Sequence, residues 1–147
     1  MTDSHSYSLF GQNTGMILRS YSKQESIIFL HFFKQKANGV WEKPSEKEGK
    51  LIKLSLEEMV LILEVLNHNL LEWKSTHYFR NRETNIIIGW ENERMKNLWI
   101  ETDTYSKILN TAQVEVFKLL LSHIVKEKIE FGTSTKNLQT CKKYPGN

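Results

Sequence analysis

The chain has one cysteine and two prolines among its 147 residues, and Asp3 and Asp103 are its only aspartates. Each scarcity excludes something. A lone Cys141 permits neither an intrachain disulfide nor a cysteine-cluster zinc site, and it fits a reducing compartment. Glu101 and Asp103 would share a strand face, which reads as a solvated acidic pair. No apolar run approaches the roughly 20 residues of a membrane span. The longest, around Met59 to Leu66, is broken by Glu64. The start, MTDSHSYSLFG, has neither the basic nor the apolar segment of a signal peptide. A soluble, intracellular protein with no membrane partner is therefore expected. Its place would be the cytoplasm or nucleoid, the host cytoplasm for a viral source, or the nucleus for a eukaryotic one.

Catalytic signatures are equally scarce. The five histidines (His5, His31, His68, His77, His123) show no metal-ligand spacing. A phosphate-cradling glycine loop, a nucleophile elbow and an HExxH string are all missing. The expectation is a non-enzyme with no metal and no cofactor.

What is present is a core-forming composition, 39% hydrophobic and 11% aromatic, with a net charge of only +3. Distribution matters more than the total. Six lysines fall between positions 34 and 53, whereas positions 55 to 73 hold Glu57, Glu58, Glu64 and Glu72 with no Lys or Arg. A basic hairpin beside an acidic helix gives two faces with different tasks.

Periodicity supplies the elements. Tyr7 to Phe10 reads as a short extended piece, and Asn13-Thr14-Gly15 as a turn. From Met16 to Ser22 the residues alternate, with Met16, Leu18 and Ser20 on one face and Ile17, Arg19 and Tyr21 on the other. Ser26 to Lys36 is strongly β-prone and ends in a tip at Ala37-Asn38-Gly39, where Asn-Gly accepts positive φ. Val40 to Glu48, interrupted by Pro44, is an edge strand or loop. Gly49 to Leu54 is a strand, and Ser55 to Glu58 a capping box opening a helix predicted to reach about Trp73. The second half repeats this order. Strands are predicted near 76–80, 85–90, 97–102 and 105–109. A capped helix then runs from Asn110 to about Phe131, closed by Gly132. The fold class is α+β, as two β-β-β-β-α units at about 7–74 and 75–131, with 132–147 a flexible basic tail.

The order of signals across GMILRSYSK and IIFLHFFKQKANGVWEKPSEKEGKLIKLSLEE resembles the DNA-binding domain of the transcriptional positive cofactor four family. Arg19-Ser20-Tyr21, Phe32-Phe33, Lys43-Pro44, Gly49 to Leu54 and Ser55 to Glu58 carry the likeness, over residues 11 to 74. Leu30 and His31 stand where that family usually has Arg and an acidic residue, and Met59 where it has an aromatic. The resemblance implies four strands on a helix, pairing with a second copy, and preference for single-stranded DNA. The related whirly fold places two such units in one polypeptide.

Single strands expose phosphates and base faces together, so a binder needs cations beside aromatic platforms. The candidate residues are Arg19, Tyr21, Lys23, Lys34, Lys36, Trp41, Lys43, Lys50 and Lys53 in the first unit. Tyr78, Arg80, Arg82, Trp90 and Trp99 are those of the second. For Phe29, Phe32 and Phe33, core packing is the default reading. The leading expectation is a largely sequence-nonspecific single-stranded DNA-binding protein acting in transcription, replication or recombination, and forming a homo-oligomer. RNA is the alternative polymer. A protein-interaction module docking through helix 55–73, by Leu63, Leu66 or Leu70, is the alternative from another class.

Overall fold

The computed structural model describes residues 3–79 and 81–134. Strands β1 (His5–Phe10), β2 (Thr14–Ser20), β3 (Ile27–Lys34) and β4 (Lys50–Ser55) form an antiparallel sheet in chain order, followed by α1 (Leu56–Leu66). Strands β5 (Glu72–Phe79), β6 (Arg82–Trp90), β7 (Leu98–Thr102) and β8 (Tyr105–Leu109) form a second such sheet, followed by α2 (Thr111–Gly132). The expected α+β architecture of two four-stranded units is the one observed.

Strict alternation assigns one face of each sheet to the core. Across the first sheet the rows Leu9–Met16–Phe32, Leu18–Leu30–Ile52 and Ile28–Leu54 are all buried. The second sheet contributes Trp73–Ile88–Ile100 and Trp90–Leu98–Leu109. Into this space α1 inserts Met59, Ile62, Val65 and Leu66, while α2 inserts Val114, Phe117, Leu121, Ile124 and Val125 at helical spacing. All belong to one continuous cluster. Burying each such side chain contributes about 1.5–3 kcal/mol, which makes this core the main source of stability. Leu30 and Met59, two of the departures from the family pattern, are fully buried members of it. No helix among the described residues is long and apolar enough to cross a membrane.

Both helices begin as the sequence predicts. Ser55 Oγ accepts from the Glu58 amide at 3.2 Å, and Glu58 Oε1 accepts from the Ser55 amide at 3.0 Å. Asn110 and Gln113 make the same reciprocal pair at 2.9 and 3.2 Å. The end of α1 differs from expectation: it stops at Leu66 instead of continuing to Trp73. Asn67-His68-Asn69 ends it. His68 takes a φ of 65°, the Asn69 side-chain Nδ2 donates to Glu64 Oε2 at 2.5 Å, and the Trp90 indole N–H donates to the Val65 carbonyl at 2.8 Å. Leucines at 63, 66 and 70 kept a helical period going in sequence after the backbone had turned. Trp73 instead lies in β5, which pairs with β6 along its whole length and starts earlier than predicted. Of the three leucines expected to form a docking face on helix 55–73, Leu66 is fully buried, Leu63 is partly buried against the core, and Leu70 is exposed beyond the end of the helix.

Glu58 ties the two units together beyond its cap. Its Oε2 accepts from Ser75 Oγ and from His77 Nε2, each at 2.7 Å. Burial by itself would raise the carboxyl pKa. The hydrogen bonds from Ser55, His77 and Ser75 outweigh it and hold the pKa below its ordinary value. A depressed carboxylate stabilises the fold above its unfolded pKa of about 4.3, and the contribution is lost as pH falls through the folded value. Glu58→Gln is therefore expected to lower stability at pH 7 by roughly 1–2 kcal/mol. The deficit should shrink on acidification, because the wild-type carboxyl then protonates too. Urea melts of both chains across the acid range check this.

Candidate nucleic-acid interface

The face of the first sheet turned away from the helices carries three cross-strand rows. Ser6–Arg19–Phe29–Lys53 is one, Ser8–Ile17–His31–Leu51 the next, and Phe10–Gly15–Phe33 the third. Arg19 and Lys53 thus flank the Phe29 ring from neighbouring strands. Tyr21, just past β2 and 57% exposed, stands edge-on to Phe29 with ring centroids 5.7 Å apart. At the other end of the face, Phe33 sits edge-on to both Phe10 and Trp41, at 5.8 and 5.7 Å. That cluster requires Gly15, because a Cβ there would lie 2.3 Å from Phe33 Cζ.

Beside the Phe29 row, the edge of β4 meets the end of the β5–β6 hairpin in a groove of about 620 Å³. Phe29, Lys53, Tyr78 and Arg82 are among its lining residues, and Tyr78 is 75% exposed. Two rings and two cations face one channel, with Arg19 and Tyr21 at its flank. Stacked rings with flanking cations are what an unpaired base and its phosphate require. Phe29 was assigned to the core by default from its apolar strand. Its odd position in the alternation, the same face as Arg19 once β2 and β3 are paired, is the signal that places it in the groove.

The remaining predicted lysines divide by partner. Lys34 and Lys50 lie on the inner face and reach the second unit. Lys34 Nζ donates to Thr104 Oγ1 at 2.8 Å and lies over the Tyr105 ring at 4.6 Å. Lys50 Nζ donates to Thr84 Oγ1 at 3.0 Å and pairs with Asp103 at 2.9 Å, while lining the groove floor. Lys36 pairs with Glu48 at 2.9 Å, which raises the lysine pKa through that hydrogen bond. Lys43 lies 3.9 Å from Glu46, and Lys23 Nζ sits 4.0 Å over the Phe131 ring. Lys34, Lys36 and Lys50 thus have oxygen partners within the protein, whereas Lys43 makes only a long, exposed contact.

The tryptophans also separate. Trp90 is a core side chain, 7% exposed, hydrogen-bonded to the end of α1 and stacked on His68 at 4.7 Å, and it does not line the groove. Trp99 lies on the second sheet's outer face, in a separate cleft of about 290 Å³ with Lys107 and the Gly11–Thr14 turn. Trp41 is half-buried against Phe33, held by the bridge between its own backbone and Gln35. Arg80 lies outside the described residues, as does the basic tail from position 135 onward with Cys141.

Two clasps position this surface. Glu42 in the long β3–β4 connection accepts from the Tyr105 hydroxyl at 3.0 Å and from the Lys34 amide at 3.0 Å. Burial and that carboxylate push the Tyr105 pKa up to about 12, so the hydroxyl stays a donor. On the opposite side, Lys128 of α2 is 2% exposed and donates to the Ser22 and Glu25 carbonyls at 2.7 and 2.6 Å. It holds the turn that carries Tyr21.

No protein-family model matches the chain, and no curated protein does. Solved structures do. WHY1 from Arabidopsis thaliana superposes with a TM-score of 0.65 at 8% identity, over 92% of this chain and 96% of that one. The fold is whirly-like. A guide-RNA-binding protein complex bound to a guide RNA contains a chain of similar fold. Its TM-score is 0.60 at 14% identity, over 89% of this chain and 94% of that one. Trypanosoma brucei MRP1/MRP2 gives 0.59 at 12% identity, over 89% and 88%. Identities this low establish a whirly-like architecture and leave function to the residues of the site.

Lys128→Met retains the buried stem and removes the charged donor from the Glu25 carbonyl and from the Ser22 carbonyl, which keeps only the Glu25 amide at 3.3 Å. The expected loss is roughly 1.5–3 kcal/mol of stability, with faster amide exchange in residues 21–26. Thermal melts and hydrogen exchange measure both.

Proposed function

We propose that this chain is a non-enzymatic single-stranded nucleic-acid-binding protein, with DNA as its first polymer, that holds melted strands in transcription, replication or recombination. The observation that carries the reading is the joined surface of Arg19, Tyr21, Phe29 and Lys53 with Tyr78 and Arg82. Rings and cations alternate there along a groove open to solvent. The whirly-like fold supports it, and so does the neighbour whose name records a bound guide RNA. That same neighbour favours RNA as the second reading, because the groove recognises backbone and ring faces and not the sugar.

An extended strand would run across the first sheet and onto the β5–β6 hairpin. Backbone contacts would come from Arg19, Lys53 and Arg82, and stacking from Tyr21, Phe29 and Tyr78. Lys23, Lys36, Lys43 and Trp41 could join as the hairpin rim, once their internal partners exchange for phosphate. A second copy is the partner proposed for the helices. Val60, Leu61, Val116 and Leu119 are apolar and exposed on α1 and α2, with Leu119 66% exposed. A homo-oligomer would cover them, and Leu119→Glu should then lower the mass measured by light scattering.

The deciding experiment is a salt titration of binding to oligo-dT, to the matched RNA and to a duplex of equal length. The single strand should bind far better than the duplex; equal affinity would sink the proposal. Arg19→Ala with Tyr21→Ala should weaken binding at least tenfold, in line with stacking worth roughly 1–3 kcal/mol per base. Lys53→Ala and Arg82→Ala should each reduce the log–log salt slope by about 0.7.

A further inference from the structure

Away from the groove, the first strand and the last helix bring three metal-ligating side chains together. His5 opens β1, while His123 and Glu127 are one turn apart on α2. His5 Nε2 lies 2.9 Å from Glu127 Oε1, and His123 Nε2 lies 3.3 Å from Glu127 Oε2. The two imidazoles meet edge to face at 5.2 Å, and one donor atom from each of the three residues falls within 4.8 Å of the others. Both imidazoles therefore present the same nitrogen to one carboxylate.

We propose that His5, His123 and Glu127 form a binding site for a divalent transition metal, with Zn2+ the best match, joining β1 to α2. Zinc bonds to imidazole nitrogen and carboxylate oxygen are about 2.0–2.2 Å long. Neighbouring ligand atoms of such a tetrahedron then lie roughly 3.3–3.5 Å apart. The two imidazole–carboxylate contacts, one to each oxygen of Glu127, are near that spacing and the remaining pair lies within 4.8 Å, so side-chain rotations would bring the three groups around an ion. Two imidazoles select against Mg2+ and Ca2+, which take oxygen ligands. Glu127 is well covered, with its side chain 13% exposed, whereas His123 is 60% exposed. That opening leaves the fourth position for water.

Half of this constellation is legible in the chain, since His123 and Glu127 are four apart and share a helix face. The other half is not, because His5 lies 122 positions from Glu127 and joins it only in the fold. The expectation that the histidines lack ligand spacing overlooked the helical pair. The ion would close a loop spanning most of the chain and fasten β1, an edge strand of its sheet, to the long helix.

The test uses the full chain without a histidine tag, stripped by chelator and desalted. It is titrated with Zn2+ in a calorimeter and with Co2+ in a visible spectrometer. One equivalent should bind, with the intense visible bands of four-coordinate Co2+, and Zn2+ should raise Tm. His123→Ala and, separately, His5→Ala should weaken binding at least about tenfold and remove those bands. Their metal-free circular dichroism should remain that of the wild type. Cys141→Ser should bind as the wild type does, which separates this site from the thiol. The absence of saturable one-equivalent uptake would overturn the proposal, leaving two imidazoles hydrogen-bonded to a carboxylate. Undiminished uptake in both histidine variants would overturn it equally.

Discussion

Two lysines that cross from the first sheet to the second determine the shape of the candidate surface. Lys34 reaches Thr104 and the Tyr105 ring, and Lys50 reaches Thr84 and Asp103. Both stand at the end of an apolar face, where a long stem stays dry while the ammonium meets oxygen. Lys50 joins β4 to β6 beside the groove, and Lys34 fastens the end of β3 to the β7–β8 turn. Glu42 on Tyr105 does the same for the long connection that brings Trp41 over Phe33. The sheets share a hydrophobic core, but a non-directional core does not fix a groove to within an ångström. Directional contacts at the seam do.

This division explains why the charge pattern of the chain is a poor guide to the candidate surface. Lysines crowd positions 34 to 53, yet internal partners take Lys34, Lys36, Lys43 and Lys50. Pairs exposed to water contribute little and can exchange for phosphate. The inter-sheet lysines cannot do so without opening the seam. The cations left to the groove, Lys53 and Arg82, come from different units and are distant in sequence.

Much of the fold was readable. Alternation from Met16 to Ser20 gave the faces correctly, and the two capping boxes marked the helix starts to the residue. Failure came where two signals competed. After Leu66 the leucine spacing still read as helix, but side chains from elsewhere in the fold, chiefly Trp90 on the Val65 carbonyl, help fix the end. The site was half legible for a related reason. Arg19 and Tyr21 announce themselves locally, whereas Phe29 joins them only once β2 and β3 are in register. Trp90 and Trp99 looked equivalent as strand residues. Opposite pleat positions sent one to the core and the other to the outer face.

The two units share an order of elements without sharing a surface chemistry. The outer face of the first sheet joins Arg19, Phe29 and Lys53 in one row and carries no acid in its three cross-strand rows. The corresponding face of the second sheet includes Glu72, Lys74, Ile87 and Glu101, so acids stand among its apolar and basic residues. A polyanion crossing that face would meet carboxylates that neutralise nothing, while the first face and the adjoining hairpin offer cations at successive steps. Duplication of the unit therefore does not mean duplication of the site. The first copy supplies the platform, and the second supplies one wall of the groove and the seam that holds it.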